Sequence, residues 1–326
     1  PRVQILDASG VLEQAGVGLD ISYGRLLINA GLDGGPLVLK LGENLRELKL
    51  GGSASLAAEV RRVFVPGRNF ESEVAPIEVD WYLTSGSVQW PGLGGGKQTI
   101  QAPSTWKTIE GIDELPSPIE ELPVWIDHEE VTDIERRAKK ALAEQLVEKE
   151  PVELTLLELN DPAGLGRRRE VRTLAAKSSL HVGQFEPFVK SLSDVDQRKA
   201  WDDHIDSLRA ALALSPKVAA QVRDAFETLR GREAADDLME MVQGYSAEEV
   251  GITAEQQQNG ALVKLLGWLD HESLDYRVLA TYNLNQITGS TYKAGYRPEA
   301  DSTQRQRALR RLWNRFESND LMPAGS

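Results

Sequence analysis

Apolar and polar positions alternate through the N-terminal third of the chain, then recur every three or four positions from about Asp127 onward. The change of period falls near Pro116. Leu37-Val38-Leu39-Lys40-Leu41 and Val79-Asp80-Trp81-Tyr82-Leu83 carry the first pattern. A period of two sends successive side chains to opposite faces of a strand, whereas 3.6 gathers them on one face of a helix. The alternation predicts strands over Val3–Leu6, Leu19–Tyr23, Arg25–Asn29, Leu37–Leu41, Leu45–Leu50, Leu56–Val65, Ile77–Leu83, Ser87–Trp90, Gln98–Gln101 and Thr105–Ile109. Short Gly-rich connections such as Asp33-Gly34-Gly35 and Ser85-Gly86 suit hairpin turns, because glycine accepts positive φ. Pro66-Gly67-Arg68-Asn69 marks one longer loop, expected to separate two sub-sheets.

The longer period predicts helices over Glu129–Val147, Val152–Leu159, Arg168–His181, Phe185–Leu192, Gln197–Leu214, Val218–Leu229, Ala234–Val242, Ala254–Leu269, Tyr276–Ile287 and Thr303–Glu317. Gly260 falls inside one of them. The expected fold class is multidomain, β then α. Residues 1–111 read as an antiparallel β sandwich or roll, and residues 127–326 as a helical domain. Between them, residues 112–126 form a Pro-rich acidic linker or strap. Leu115, Ile119, Leu122 and Trp125 favour the strap, since a free linker has no use for four such side chains.

A charged fraction of 27% beside 41% apolar residues is that of a globular chain. The net charge of −13 divides about evenly between the two halves, so neither is a basic platform for nucleic acid. Cysteine is absent, which removes disulfides, thiolate nucleophiles and cysteine-held metals. No window is apolar enough to span a bilayer. The chain begins at Pro1 rather than Met, so we expect a fragment or processed form, with any membrane attachment through an upstream anchor missing here.

Candidate chemistry is sparse. Gly92-Leu93-Gly94-Gly95-Gly96-Lys97-Gln98-Thr99 lacks the first Gly and the final Ser or Thr of a phosphate loop, and it joins two strands; a hairpin turn is expected. Asp127-His128-Glu129-Glu130 and Asp270-His271-Glu272 resemble metal ligands. Adjacent residues diverge by about 100° on a helix, however, and both clusters precede helices, where capping is expected. Asp202-Asp203-His204-Ile205-Asp206 has Ala200 and Leu208 one turn from its histidine, so it reads as an exposed helix face. His181 reads as a cap or surface residue. No Gly-x-Ser-x-Gly elbow marks a nucleophile, and no catalytic residue, cofactor or metal site is expected. Trp81, Trp90 and Trp106 either fill the β core or form a sugar-stacking platform. The last helix carries Arg305, Arg307, Arg310, Arg311 and Arg315 opposite Leu309, Leu312, Trp313 and Phe316. These arginines either pair with an acidic body or offer a docking face, in which Arg305, Arg310, Arg311 and Arg315 would contact a partner.

Two resemblances follow from the residues. The segments from Leu19 to Asn29 and from Trp81 to Trp90 resemble FecR-type β domains, which repeat a strand, a Gly turn and a second strand. That likeness implies a bacterial, extracytoplasmic β domain, often tethered by one membrane helix; some such proteins are sensor-regulators acting on sigma factors. Arg172-x-x-Ala175 and Arg277-x-x-Ala280 resemble the inner helix of HEAT-type repeats, which implies a helical array. Together they lead us to expect a non-catalytic binding or scaffold protein of the cell envelope, periplasmic or envelope-associated, that engages a protein partner through its helical domain. The competing expectation is a carbohydrate-binding or carbohydrate-active protein using the three tryptophans.

Overall fold

A computed structural model describes residues 2–5, 17–91, 96–127, 132–146, 150–161, 168–251, 253–289, 295–318 and 320–321. Strands come first and helices after. The chain forms two compact units: Pro1–Val63 with Ala75–Val131, and Phe64–Val74 with Thr132–Ser326.

The first unit is a ten-stranded sheet: β1 (Arg2–Ile5), β2 (Val17–Asn29), β3 (Gly35–Leu41), β4 (Asn44–Leu50), β5 (Ser55–Arg62), β6 (Ile77–Ser85), β7 (Ser87–Pro91), β8 (Lys97–Gln101), β9 (Ser104–Ile109) and β10 (Ile112–Asp113). Nine of them run in the order β10-β9-β6-β5-β2-β3-β4-β7-β8, and β1 pairs with β2. One pairing departs from the antiparallel expectation. The start of β2 runs parallel to β3, with Leu19 opposite Leu39, while its end runs antiparallel to β5, with Ile28 opposite Leu56. The two short strands expected at Leu19–Tyr23 and Arg25–Asn29 are thus one strand that changes partners at Gly24, whose φ of 115° a residue with a Cβ adopts poorly.

Alternation sorts the side chains as the period predicts. Along β6, Ile77, Val79, Trp81 and Leu83 are buried and the residues between them are not. One core takes Leu39, Leu48 and Trp90 from one flank of the sheet, and Leu56, Val79 and Trp106 from the other. The sheet therefore curls until both flanks line the same interior. The loop at Pro66 does not divide sub-sheets, because β5 and β6 on either side of it pair directly, Arg62 opposite Ile77. After β10, Ser117 exchanges two backbone hydrogen bonds with Thr105 of β9, each 2.8 Å, so this stretch is strapped to the sheet. Leu115 nonetheless points outward, 81% exposed. A short helix, α1 (Val124–Asp127), follows, and the Arg25 guanidinium lies 5.3 Å from the Trp125 ring.

The second unit holds α2 (Asp133–Gln145), α3 (Val152–Asn160), α4 (Arg169–His181), α5 (Glu186–Ser191), α6 (Trp201–Leu214), α7 (Pro216–Arg230), α8 (Arg232–Gln243), α9 (Ala247–Val250), α10 (Ala254–Gln257), α11 (Ala261–Trp268), α12 (Leu274–Thr288) and α13 (Ser302–Glu317), with a 3-10 turn at Val195–Gln197. Consecutive helices pack on each other, as in α3 with α4, α6 with α7 and α7 with α8. The helix expected over Ala254–Leu269 is broken at Gly260, where a Cβ would approach the Glu249 and Val250 carbonyl oxygens to 2.8 Å. The excursion Phe64–Val74 belongs to this unit. Phe70 is fully buried and stacks on Phe64, the Gly67 amide donates to the Gln243 carbonyl, and Arg223 of α7 grips the Glu71 carboxylate with Nε and Nη2.

At the centre of this unit Arg209 of α6 is buried. It donates to the Val242 carbonyl in the last turn of α8 and to Asn283 of α12, and it lies over the Phe64 and Tyr282 rings. The Val242 carbonyl, left without an intrahelical donor near the end of α8, is thereby satisfied. Burial lowers the Arg209 pKa, yet the carbonyl and ring partners still accommodate its charge.

Candidate functional site

The three tryptophans form a closed cluster in the β unit. Trp81 and Trp90 are fully buried and Trp106 is 4% exposed. Trp90 meets the other two edge to face, with both ring centroids 4.8 Å away, and Trp81 stacks on Trp106 at 6.0 Å. Trp81 Nε1 donates to Thr108, and Trp90 Nε1 to Asp113. A sugar platform needs open ring faces, and these rings spend theirs on one another. They are core.

The histidine clusters separate in the same way. His128 lies outside the described residues. His271 stacks on Tyr276 with centroids 3.8 Å apart, and its Nδ1 accepts the Ser273 amide just ahead of α12. That bond orders the turn ahead of the helix, but no side chain caps the first turn of α12, and Asp270, the expected cap, accepts from Gln306 instead. His181 is exposed at the end of α4. His204 contradicts its expectation: it is fully buried against the edge of Phe188, and only Asp202, Asp203 and Asp206 around it are exposed. Residues 92–95 of the Gly-rich turn lie outside the described residues; the strands on either side pair with each other, Pro91 opposite Lys97. Among the described residues no group of three or more acidic or histidine side chains could hold a metal ion, and no helix is long and apolar enough to cross a membrane.

The arginines of α13 remain. Their helix is held firmly. Arg277 of α12 donates from Nε to the Pro298 carbonyl at 2.9 Å and from Nη1 to the His271 and Glu272 carbonyls, and Tyr296 bonds the Leu269 carbonyl. Burial, then the nearby Arg305 charge, lowers the Arg277 pKa. Asp301 caps the first turn through the Gln304 amide. Ala308, Leu309 and Leu312 face inward, so Arg307, Arg310 and Arg311 stand on the opposite, exposed face with Asn314.

No family model, curated protein or solved structure matches this chain. The site therefore rests on its own geometry.

Among the described residues none of the five arginines of α13 has a carboxylate within ion-pair distance. Two of the expected contact residues are turned to their own chain: Arg305 donates to the Ala300 carbonyl and Arg315 to the Asp320 carbonyl. Arg310 and Arg311 are exposed as expected, and Arg307 completes the face. Like charges three and four positions apart, as 307 is from 310 and 311, destabilise a helix by roughly 0.2–0.5 kcal/mol per pair. The fold tolerates that repulsion without answering it. The helix wheel alone distinguishes Arg307 from Arg305, because Arg305 falls on the side of the buried stripe.

Proposed function

We propose that this chain is a non-catalytic scaffold whose helical unit docks an acidic segment of a protein partner on Arg307, Arg310 and Arg311. The observation that carries the reading is three exposed guanidinium groups with no carboxylate partner among the described residues, in a chain of net charge −13. Where acidic side chains outnumber basic ones, unpaired arginines on a rigid helix suit an anion from another molecule. An acidic protein segment fits better than a nucleic acid. A polyphosphate would place many charges near an acidic body for the gain of one short basic face.

The finer reading of architecture belongs to the same proposal. A HEAT-like array is supported by pairwise packing of consecutive helices and by the environments of the two matching motifs. Arg172 and Arg277 are each buried near the start of a helix, three residues before the fully buried Ala175 and Ala280. The motifs differ in what the arginines hold: Arg172 faces Asp194 and Asp196, and Arg277 faces backbone carbonyls. A FecR-like β unit, and with it an envelope-associated or periplasmic setting, is supported by the strand-turn-strand segment Trp81–Trp90 alone, since Leu19–Asn29 is one strand.

Site-specific photo-crosslinking tests the docking face. A photoreactive residue replacing Asn314, in the middle of the arginines, is expected to trap one defined protein in cells. The same residue replacing Glu248 on α9 is expected not to trap it. Equal trapping at both positions, or none at 314, would remove the docking face from the account.

A further inference from the structure

The sheet path ends on β10 at one side and on β8 at the other. The β10 end is closed off. That strand is two residues long, and the chain beyond it bonds back to β9 through Ser117 and Thr105. Asp113 of β10 is bound in turn to Arg46 of β4 and Trp90 of β7. β8 lies one strand further along, and among the described residues no strand pairs with its outer side.

The ladder fixes which backbone groups of β8 face outward. The Gly51 amide donates to the Ser87 carbonyl at 2.8 Å, so Ser87 and Gln89 turn their backbone groups toward β4. Alternation then turns those of Val88 toward Ile100, which lies opposite on β8. The groups of Ile100 therefore serve the sheet, and those of Lys97, Thr99 and Gln101 point away from it. The Gln101 carbonyl accepts the Ser104 hydroxyl and keeps a second lone pair. The usual protections of an open edge are thin here. β7 and β8 pair without a register shift, so no bulge bends the edge. No proline lies within β8, and Lys97 at its start is its one charged residue.

This edge is complementary to itself. A second copy laid antiparallel about Thr99 sets Lys97 across from Gln101, Gln98 across from Ile100, and Thr99 across from its own equivalent. No like charges meet, threonine opposite threonine is a favourable cross-strand pair, and the outward groups of 97, 99 and 101 fall in register. The net charge of −13 resists contact between copies over most of the surface, whereas β8 brings only the positive Lys97 to the seam. A charged peptide would find a single lysine to answer; a second copy finds a match at every position of the strand.

We propose that β8 is a dimerisation edge, through which two copies of this chain join their sheets by antiparallel β8 strands about a two-fold axis at Thr99. Five residues a side make a small interface, so the dimer is weak, with a dissociation constant of roughly 10–200 µM. The edge is separate from the arginine face of α13, and either proposal can fail without the other.

Analytical ultracentrifugation of the full chain from about 5 to about 500 µM tests it. The unmodified chain is expected to pass from monomer to dimer across that range. Thr99→Lys and Thr99→Glu, each alone, place like charges on the axis and are expected to stay monomeric. Their equimolar mixture is expected to dimerise as the unmodified chain does. Thr99→Pro removes an outward amide that the sheet does not use, and is expected to abolish dimerisation with the melting temperature unchanged. A chain that is monomeric at every concentration overturns the proposal. So does dimerisation that Thr99→Lys, Thr99→Glu and Thr99→Pro leave intact, or a mixture of the two charge variants that stays monomeric.

Discussion

Arg46 and Asp113 lie on β4 and β10, strands that are not neighbours in the sheet, yet their side chains meet at 2.6 Å. Arg46 also donates to the Gly111 carbonyl and lies over the Trp90 ring, while Asp113 accepts from Trp90 and Thr108. The contact draws one edge of the sheet back over its other flank, and both side chains are nearly buried, 8% and 12% exposed. Removing one partner strands the other charge in a poorly solvated place, at a cost of about 3–5 kcal/mol. Asp113→Ala and Arg46→Ala are each expected to lower the urea midpoint of the β unit accordingly. Replacing both by apolar residues, Arg46→Met with Asp113→Leu, is expected to cost less than either single change. A single substitution costing under about 1 kcal/mol would mean that the curl is held by the apolar core alone.

Glu71 and Arg223 fasten the excursion Phe64–Val74 to α7. Both Glu71 oxygens are engaged, and the hydrogen bond to Glu71 raises the Arg223 pKa, outweighing burial, which lowers it. The pair is about a quarter exposed, so solvent screens it. A double-mutant cycle on Glu71→Ala and Arg223→Ala, read by unfolding of the helical unit, is expected to give a coupling of about 1 kcal/mol. Additive single effects would show that Phe64 and Phe70 alone seat the segment.

His204 is expected to make the helical unit sensitive to acid. Burial, then the Lys177 charge, lowers its pKa from 6.5 to about 4, with Asp203 opposing. Above pH 6.5 the imidazole is neutral whether the chain is folded or not, and stability does not depend on it. Between pH 6.5 and about 4 only the unfolded chain takes up the proton, so stability falls as pH falls, by about 3 kcal/mol in total. Among the described residues neither ring nitrogen has a partner, and leaving such atoms buried is itself costly. His204→Leu is therefore expected to be neutral or stabilising at pH 7 and to flatten this acid limb in urea unfolding followed from pH 8 to 4. An unchanged limb in the variant would assign the acid sensitivity to other groups.

Strand positions are legible in the sequence because one face of each strand is buried and the other is not, and helix positions because most helices show the same contrast. The departures have physical causes. At β2 the core-facing set shifts from Leu19 and Ile21 to Leu26 and Ile28, a slip of phase at Gly24 that reads as a turn between two strands, whereas the chain runs on as one strand and changes partner there, which makes one pairing parallel. β10 is too short to show a period, and its hairpin turn rests on positive φ at Glu110 and Gly111. His204 reads as exposed because three aspartates surround it, although Ile205 and Leu208 beside it mark the buried side of α6. The arginines of α13 are legible as a group. Which of them face solvent follows from the helix wheel, since Arg305 and Arg315 fall on the side of Ala308 and Leu312, whereas the carbonyls those two donate to are invisible in spacing.

The central claim is that an acidic partner is held by the exposed face of α13, and the affinity of the crosslinked partner for a charge-reversed variant tests it most directly. Arg307→Glu, Arg310→Glu and Arg311→Glu together should weaken binding at least about tenfold at low salt, leave the melting temperature unchanged and remove most of the salt dependence. Undiminished affinity, with the same response to salt as the unmodified chain, would contradict the account.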